Sequence, residues 1–444
     1  MKLDMGRVLP IFALVFVDVL GLTIILPLLH LYAATYGASP VEIGMVAAAF
    51  PLAQLIGVPV MGALSDRYGR KPLLLISQIS TCLGFILLGV ANSLWLIVLS
   101  RLIDGLFGAN IATAQAALSD VTSEENRAQG LGLTGAAFGL GFIFGPVISI
   151  FALEFSDNNL ASPAFIAAAY SFISILLTLF VFKETLPANQ RQAQARTHAI
   201  SPRVILGMLR RPQINILLLL MFAQQFIFYG FESLLGLFIL SRLGLLGQGS
   251  AVIFVIVGVI LVTVQARYIG PWSRKYGEPR LVSAALALLS AGLILMALTP
   301  EQPHPFYVRQ IAAHRLLEQD TASSTEAIIG AISVPLPDDA HRGLGGVLWA
   351  LVAIVPISIG AGLIRPGLNS LMTKRVSTRE YGRILGASSA LVSAANAAAP
   401  LVGGLLFQRY GSTLPFLAGG LLMSLVLIVS LLTLHPAQQP LPSE

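Results

Sequence analysis

The most regular feature of the chain is a hydrophobic run that ends in a polar break and begins again, twelve times over. The runs cover roughly 8–29, 43–64, 72–90, 94–119, 128–153, 161–182, 214–241, 249–266, 281–299, 345–372, 384–407 and 412–434. At 1.5 Å per residue each is long enough to cross a hydrocarbon layer about 30 Å thick. None shows the period-2 alternation of a β-barrel strand. The pattern predicts an all-α polytopic membrane protein with twelve transmembrane helices. The first run is about twice as long as a signal-peptide core and no small-x-small cleavage pattern follows it, so it is expected to stay as a helix.

Composition agrees with a lipid-embedded chain: 56% of the 444 residues are hydrophobic and 11% charged, against about 25% charged in soluble proteins. Charge then supplies the orientation. With the N-terminus inside, 20 of the 27 Lys and Arg fall on the cytoplasmic side. The positive-inside rule therefore predicts a multi-pass protein of the plasma (cell inner) membrane with both termini cytoplasmic. The same distribution argues against a nucleic-acid partner despite a net charge of +6, because the basic residues are dispersed over short loops and form no stripe. The single Cys82, in the third helix, excludes an intramolecular disulfide.

The helices fall into two related sets. The polar connection 184–213, with Pro187, Pro202 and Pro212, separates an N-terminal six-helix half (1–183) from a C-terminal one (214–434), and 435–444 is a cytoplasmic tail. Gly62, Tyr68 and Gly69 recur 208 residues later as Gly270, Tyr276 and Gly277, whereas Gly132 and Pro146 match Gly386 and Pro400 at an offset of 254. The additional 46 residues belong to an outer insertion, 300–344. Two parallel six-helix repeats are the plan of a large transporter fold with its substrate site near the midplane. Within the insertion, Phe306 to Gln319 reads as an amphipathic helix with Phe306, Ile311, Leu316 and Leu317 on its apolar side.

The strongest local motif lies between the second and third runs: Gly62, then Asp66-Arg67-Tyr68-Gly69-Arg70-Lys71. It resembles the G-x-x-x-D-R-x-G-R-K/R signature of the major facilitator superfamily, in the place where that family carries it. Physically, Gly62 is expected to permit close helix contact, Gly69 a left-handed turn, and Arg70 and Lys71 cytoplasmic anchoring. The resemblance implies that Asp66 faces the N-terminus of helix eleven, where a helix dipole favours an anion. It also implies a conformational latch of Asp66, Arg70 and the helix-four acid Asp120. The second copy has Arg274 in place of the aspartate, so the latch is expected in the first half alone.

Charged residues at membrane depth point to the transport chemistry. In helix four, Arg101, Asp104, Gly108 and Gln115 recur at helical spacing and share a face. Arg101 with Gly105 resembles the R-x-x-x-G element of proton-driven members of the family, in which such an arginine lies near a proton-carrying acid; a self-neutralising Arg101 to Asp104 pair is the alternative. Asp18 lies about 16 Å along the helix from Arg7, has no basic neighbour on its own helix, and has the setting a proton carrier needs; a hydrogen-bonded structural acid is the alternative. With Gly21 and Pro27 it resembles the first-helix motif of the drug:proton antiporters. In helix five, Gly141-x-x-x-Gly145-Pro146 resembles the antiporter element G-x-x-x-G-P-x-x-G-G, with Ser149 and Ile150 replacing its last two glycines.

Candidate cavity residues are Gln115, Gln224, Tyr229, Asn369 and Asn396, accompanied by Gln225, Arg365, Ser389 and Ser393; Glu232 reads as a gate or interfacial residue near the outer surface, and the phenylalanines of helix seven either wall the cavity or face lipid. Taken over nearly the whole chain, the resemblance is to the drug:proton antiporters, tetracycline efflux proteins among them. Those proteins carry acids in helices three and nine, where this chain has Gly84 and an uncharged 281–299; tetracycline itself is therefore not the expected substrate. The chain has no phosphate-binding loop, metal-ligand cluster or nucleophile-base motif outside the membrane, so no enzyme, metal or cofactor is expected. The sequence reading is a monomeric secondary transporter in lipid, driven by the proton gradient, exporting a small amphipathic or drug-like molecule by alternating access. Proton-coupled import of a small organic solute and a transporter-like sensor or scaffold are the alternatives.

Overall fold

The computed structural model describes residues 5–122, 127–188, 191, 207–208, 210–317, 332–376 and 381–434. Most of the expected linker, Gln319 of the expected outer helix and the tail 435–444 lie outside them. Twelve helices are long and apolar enough to cross a membrane: α1 Met5–Ala34, α2 Pro40–Tyr68, α3 Arg70–Gly89, α4 Leu94–Val121, α5 Arg127–Glu154, α6 Ala161–Phe180, α7 Pro212–Leu243, α8 Gly247–Tyr276, α9 Glu278–Ala297, α10 Gly345–Lys374, α11 Tyr381–Tyr410 and α12 Thr413–Thr433. Three of them are irregular. Helix α1 passes through a 3-10 turn at Leu26–Leu28, around Pro27, α8 widens into a π turn at Val264–Tyr268, and α4 breaks between Phe107 and Asn110.

The break in α4 corrects the expectation of one continuous face. It leaves Arg101 and Asp104 on one segment, Gly108 in the break and Gln115 on the next. Inside a membrane the groups freed by such a break must find protein partners. Ser77 supplies them: its hydroxyl donates to Phe107 O and accepts from Ala109 N at 2.7 Å. Gln54 Nε2 donates to Gly108 O at 3.2 Å.

Contacts group the chain into two compact units. The first comprises Met1–Ala38, Met45–Ala199 and Leu246–Gly258. Its helices approach through missing side chains. A methyl at Gly141 would come within 2.5 Å of Val19 Cγ1, and one at Gly145 within 2.1 Å of Thr23 Oγ1. The Thr23 hydroxyl crosses that α1–α5 contact to Gly141 O at 2.9 Å. One turn farther along, Ser149 donates to Ile24 O at 2.5 Å. Where the antiporter pattern has glycine, a hydroxyl here makes the same close approach. Helices α2 and α4 meet reciprocally: a methyl at Gly57 would lie 2.1 Å from Leu106 O, and one at Gly105 2.3 Å from Phe50 O.

The second unit comprises Ser39–Gly44, Ile200–Leu245 and Val259–Glu444. Gly292, Gly360 and Gly367 seat α9 on α10, and Ser290 and Ser424 join α9 to α12 at 2.6 Å. Beyond α7, Gly244 turns with φ +64 and lies against the Tyr307 ring. His304 N bonds Leu243 O at 3.0 Å, and Asp339 accepts from Arg309 N at 3.0 Å and pairs with Arg342 at 3.3 Å. Burial of the imidazole lowers the pKa of His304. The helix in this connection runs Arg309–Leu317. It buries Ala312, Ala313 and Leu316 and leaves Phe306 and Ile311 90% and 51% exposed. The expected apolar side is thus corrected, because the small alanines face inward.

Gly62 corrects another expectation: among the described residues nothing lies within 4 Å of a methyl placed there. Gly145→Ala and Gly105→Ala should each destabilise the purified protein by about 1–3 kcal/mol through overpacking, with no loss for Gly62→Ala. Thermal unfolding in detergent checks this ordering, and three equal midpoints would contradict the backbone contacts.

Candidate functional site

Two polar clusters stand out in the first unit. The inner one is buried among α1, α3, α4 and α6. Asp18, from the middle of α1, is 8% exposed. Gln78 and Ser174 stand next to its carboxyl, but Gln78 Nε2 donates to Ser174 Oγ at 2.8 Å. Among the described residues neither Asp18 oxygen receives a hydrogen bond, and Gln78 Oε1 also lacks a partner.

Arg101 and Asp104 pair at 3.4 Å with side chains 3% and 4% exposed. Sequence spacing allowed this self-neutralising pair as an alternative. It makes Asp104 the ion-pair partner of Arg101, while the Arg101 guanidinium also lies 5.3 Å from the Phe85 ring centroid. A Cβ at Gly84 would lie 3.1 Å from Asp104 Cβ. Asp104 therefore fills the space that an acid at position 84 would enter. Thr81 completes this side of the cluster, beside Asp104 and accepting from Asn110 Nδ2 at 3.3 Å.

The second cluster lies at the junction of α2 and α3. Arg70 donates to Asp66 Oδ1 at 2.6 Å, Ser65 Oγ at 3.1 Å and Asp120 Oδ2 at 3.0 Å, which brings together the three residues expected to form the latch. Gly69 adopts φ +108 and ψ 163. A side chain there would strike Glu184 Oε2 at 2.4 Å. Glu184 itself caps the start of α3, accepting from Arg70 N at 2.9 Å and Lys71 N at 3.2 Å. Sequence reasoning missed it because its partners are 113 and 114 residues away. Arg67 is exposed and lies over the Tyr68 ring at 5.3 Å. Lys71 Nζ anchors to Leu179 O at 2.9 Å.

The second unit holds a counterpart that the sequence reading also missed. Positions 66, 70 and 120 correspond, through the offsets of 208 and 254, to Arg274, Glu278 and Lys374. Every charge is inverted. Lys374 Nζ pairs with Glu278 Oε1 at 2.5 Å, and Ser273 and Ser370 donate to the same oxygen at 3.2 Å. The repeat offsets contained the signal, once Glu278 rather than Arg274 was followed.

The candidate cavity residues do not form one group. Gln115 is exposed and bonds Thr134 Oγ1 at 3.5 Å. Gln224 is 1% exposed and donates to Met221 O in its own helix at 3.3 Å. That corrects its assignment as a lining residue; its neighbour Gln225 instead bonds Asn396 Oδ1 at 2.8 Å. Tyr229 and Asn369 are half-buried. An apolar cavity of about 80 Å³ lies among α7, α9, α11 and α12, lined by Phe226, Phe231, Leu293, Val402 and Phe416. It is too small for a drug-sized ligand, whose pockets span about 300–1,000 Å³.

The two ion-pair clusters should differ sharply in energy. Arg70→Ala removes the guanidinium shared by two acids where the side chains are 5–11% exposed, and is expected to cost about 3–5 kcal/mol. Lys374 is 61% exposed, so Lys374→Ala should cost less than about 1 kcal/mol. Chemical unfolding of the two variants in detergent micelles measures the difference.

Comparison with known proteins bears on what these clusters belong to. The Major Facilitator Superfamily profile matches residues 11–313. The chain is 30% identical over 347 residues to the Tetracycline resistance protein, class E, of Escherichia coli, covering 78% of this chain and 84% of that one. It is 25% identical over 412 residues to Multidrug resistance protein 2 of Bacillus subtilis (strain 168), covering 92% and 90%. A crystal structure of a mutant nucleoside transporter NupG has the same fold, with a TM-score of 0.73 at 13% identity over 96% of this chain and 99% of that one. With twelve membrane-spanning helices and the Asp66–Arg70–Asp120 cluster in place, the chain belongs to the Major Facilitator Superfamily and is a membrane transporter of a small molecule, not an enzyme.

Proposed function

We propose that this transporter exports an amphipathic, drug-like molecule in exchange for protons, by alternating access. The observation that carries the reading is the Asp18 carboxyl, held in the middle of a membrane helix with both oxygens lacking a hydrogen-bond donor among the described residues. A carboxylate so placed is costly when charged, and binding a proton removes the charge. Arg101 does not compete for this role of partner, because Asp104 already neutralises it. Gln78 and Ser174 can either bond each other, as they do here, or turn to the carboxylate, giving Asp18 two hydrogen-bonding arrangements for its two protonation states.

The resistance proteins to which the chain is similar support export, since tetracycline and multidrug resistance are their named properties. In this reading 1–183 and 214–434 are the two repeat halves, both termini are cytoplasmic, and the protein acts as a monomer in the cell's inner membrane. The proton gradient is the energy source and no cofactor takes part. The Asp66, Arg70 and Asp120 cluster, held at the start of α3 by Glu184, acts as a conformational latch. Ser149 in place of glycine does not weigh against the antiporter reading, because its hydroxyl preserves the close α1–α5 approach.

Asp18→Asn tests the proposal, since it keeps the shape and removes the titrating group. Efflux-deficient cells expressing the wild type should accumulate less of at least one cationic, neutral or anionic dye than empty cells. That difference should vanish with Asp18→Asn and with a proton uncoupler, while the purified variant unfolds no earlier than the wild type. Unchanged export by Asp18→Asn would remove Asp18 as the carrier. Proton movement with the substrate, in place of exchange, would turn the direction to import.

A further inference from the structure

Several arginines of the long helices are accounted for by their neighbours. Arg70 has two acids and Arg101 one. Arg242 binds Thr299 O at 2.9 Å and the Ser412 hydroxyl at 2.8 Å. Two arginines of the second unit differ. Arg267 and Arg365 are both exposed, and among the described residues neither side chain has an ion-pair or hydrogen-bond partner.

Packing places their helix segments side by side. Gly362 of α10 lies against Val264 of α8, where an added Cβ would meet Val264 Cγ1 at 3.1 Å. Helices α8 and α10 run in the same direction, because α9 returns between them. Arg267 and Arg365 each follow their member of this contact by three residues, so each lies about 4.5 Å farther along its helix. On α10, Ser358, Gly362, Arg365 and Asn369 follow at spacings of 4, 3 and 4 and so share one face. Gly362 shows that this face meets α8.

One further observation marks the place as a site. Arg267 lies within the π turn Val264–Tyr268, a local widening that frequently marks functional sites and re-aims the side chains it carries. Two guanidiniums side by side repel each other unless an anion lies between them. Their planar forks suit an oxyanion with at least two oxygens.

We infer that Arg267 and Arg365 form an oxyanion site that binds a carboxylate, sulfonate or phosphate group. The group belongs to a transported organic anion or to the phosphodiester of an anionic lipid. The site itself is independent of the export reading, and only the first of these sources rests on it.

The test uses the full-length protein in nanodiscs, as wild type, Arg267→Gln, Arg365→Gln and Arg365→Lys. Carboxyfluorescein binding is followed by anisotropy in phosphatidylcholine discs, with rhodamine 6G as the cationic control, and retained phosphatidylglycerol is counted by native mass spectrometry. Each Gln variant should bind carboxyfluorescein at least tenfold more weakly or lose one retained phosphatidylglycerol, with Arg365→Lys intermediate and rhodamine 6G binding unchanged. Loss of the dye alone identifies the substrate's acid, and loss of the lipid alone the headgroup. The site is overturned if the wild type holds neither probe, or if both Gln variants hold both probes as the wild type does. Equal loss of rhodamine 6G binding would also overturn it, since that reports general damage. Absence of dye export from cells would sink the export reading without touching this result.

Discussion

Hydrocarbon offers no hydrogen bonds, so every backbone and side-chain polar group placed in it must be satisfied by the protein or must do something by remaining unsatisfied. The broken α4 shows the first outcome. Its interrupted helix persists because Ser77 and Gln54 take the donors and acceptors that the break exposes. Asp18 shows the second. Its carboxyl is buried beside groups that bond each other, and the one buried arginine of this cluster is already paired. The same constraint separates the paired arginines from Arg267 and Arg365, which are exposed.

Close packing follows a related logic, since apolar side chains gain little by leaving lipid for one another and helices associate through fit and polar contacts. The motif glycines at 105, 141 and 145 accordingly touch backbone or a threonine hydroxyl of a neighbouring helix. Their residue type is explained by contact distance before any transport role is assigned. Ser149 continues the series by trading a void for a hydrogen bond. Gly62 has open space around it, so a motif's pattern alone does not say which of its members are tight.

The two repeats preserve geometry better than charge. Gly69 and Gly277 both adopt positive φ at matching places before α3 and α9, at +108 and +77. The residues around them carry opposite signs: Asp66, Arg70 and Asp120 in one repeat, Arg274, Glu278 and Lys374 in the other. A positive φ is a steric requirement that glycine alone meets easily, whereas an ion pair works with either polarity. Burial then distinguishes the copies, because Arg70 is enclosed and Lys374 lies open to solvent.

The linear chain determined what depends on local periodicity and composition. Twelve apolar runs, the repeat offsets, the loop from Gly62 to Lys71 and the charged residues at membrane depth were all legible, because a membrane helix must be apolar over its whole length and a charge within it stands out. Tertiary structure decided which of those charges meet. It paired Arg101 with Asp104, left Asp18 without a hydrogen-bond donor among the described residues, and turned Gln224 back onto its own helix while Gln225 reached Asn396. It also brought Glu184 to the start of α3 from more than 100 residues away. The reason is geometric: hydropathy fixes how far along the membrane normal a residue lies, but its direction around the helix, and hence its partner, is set only when neighbouring helices pack.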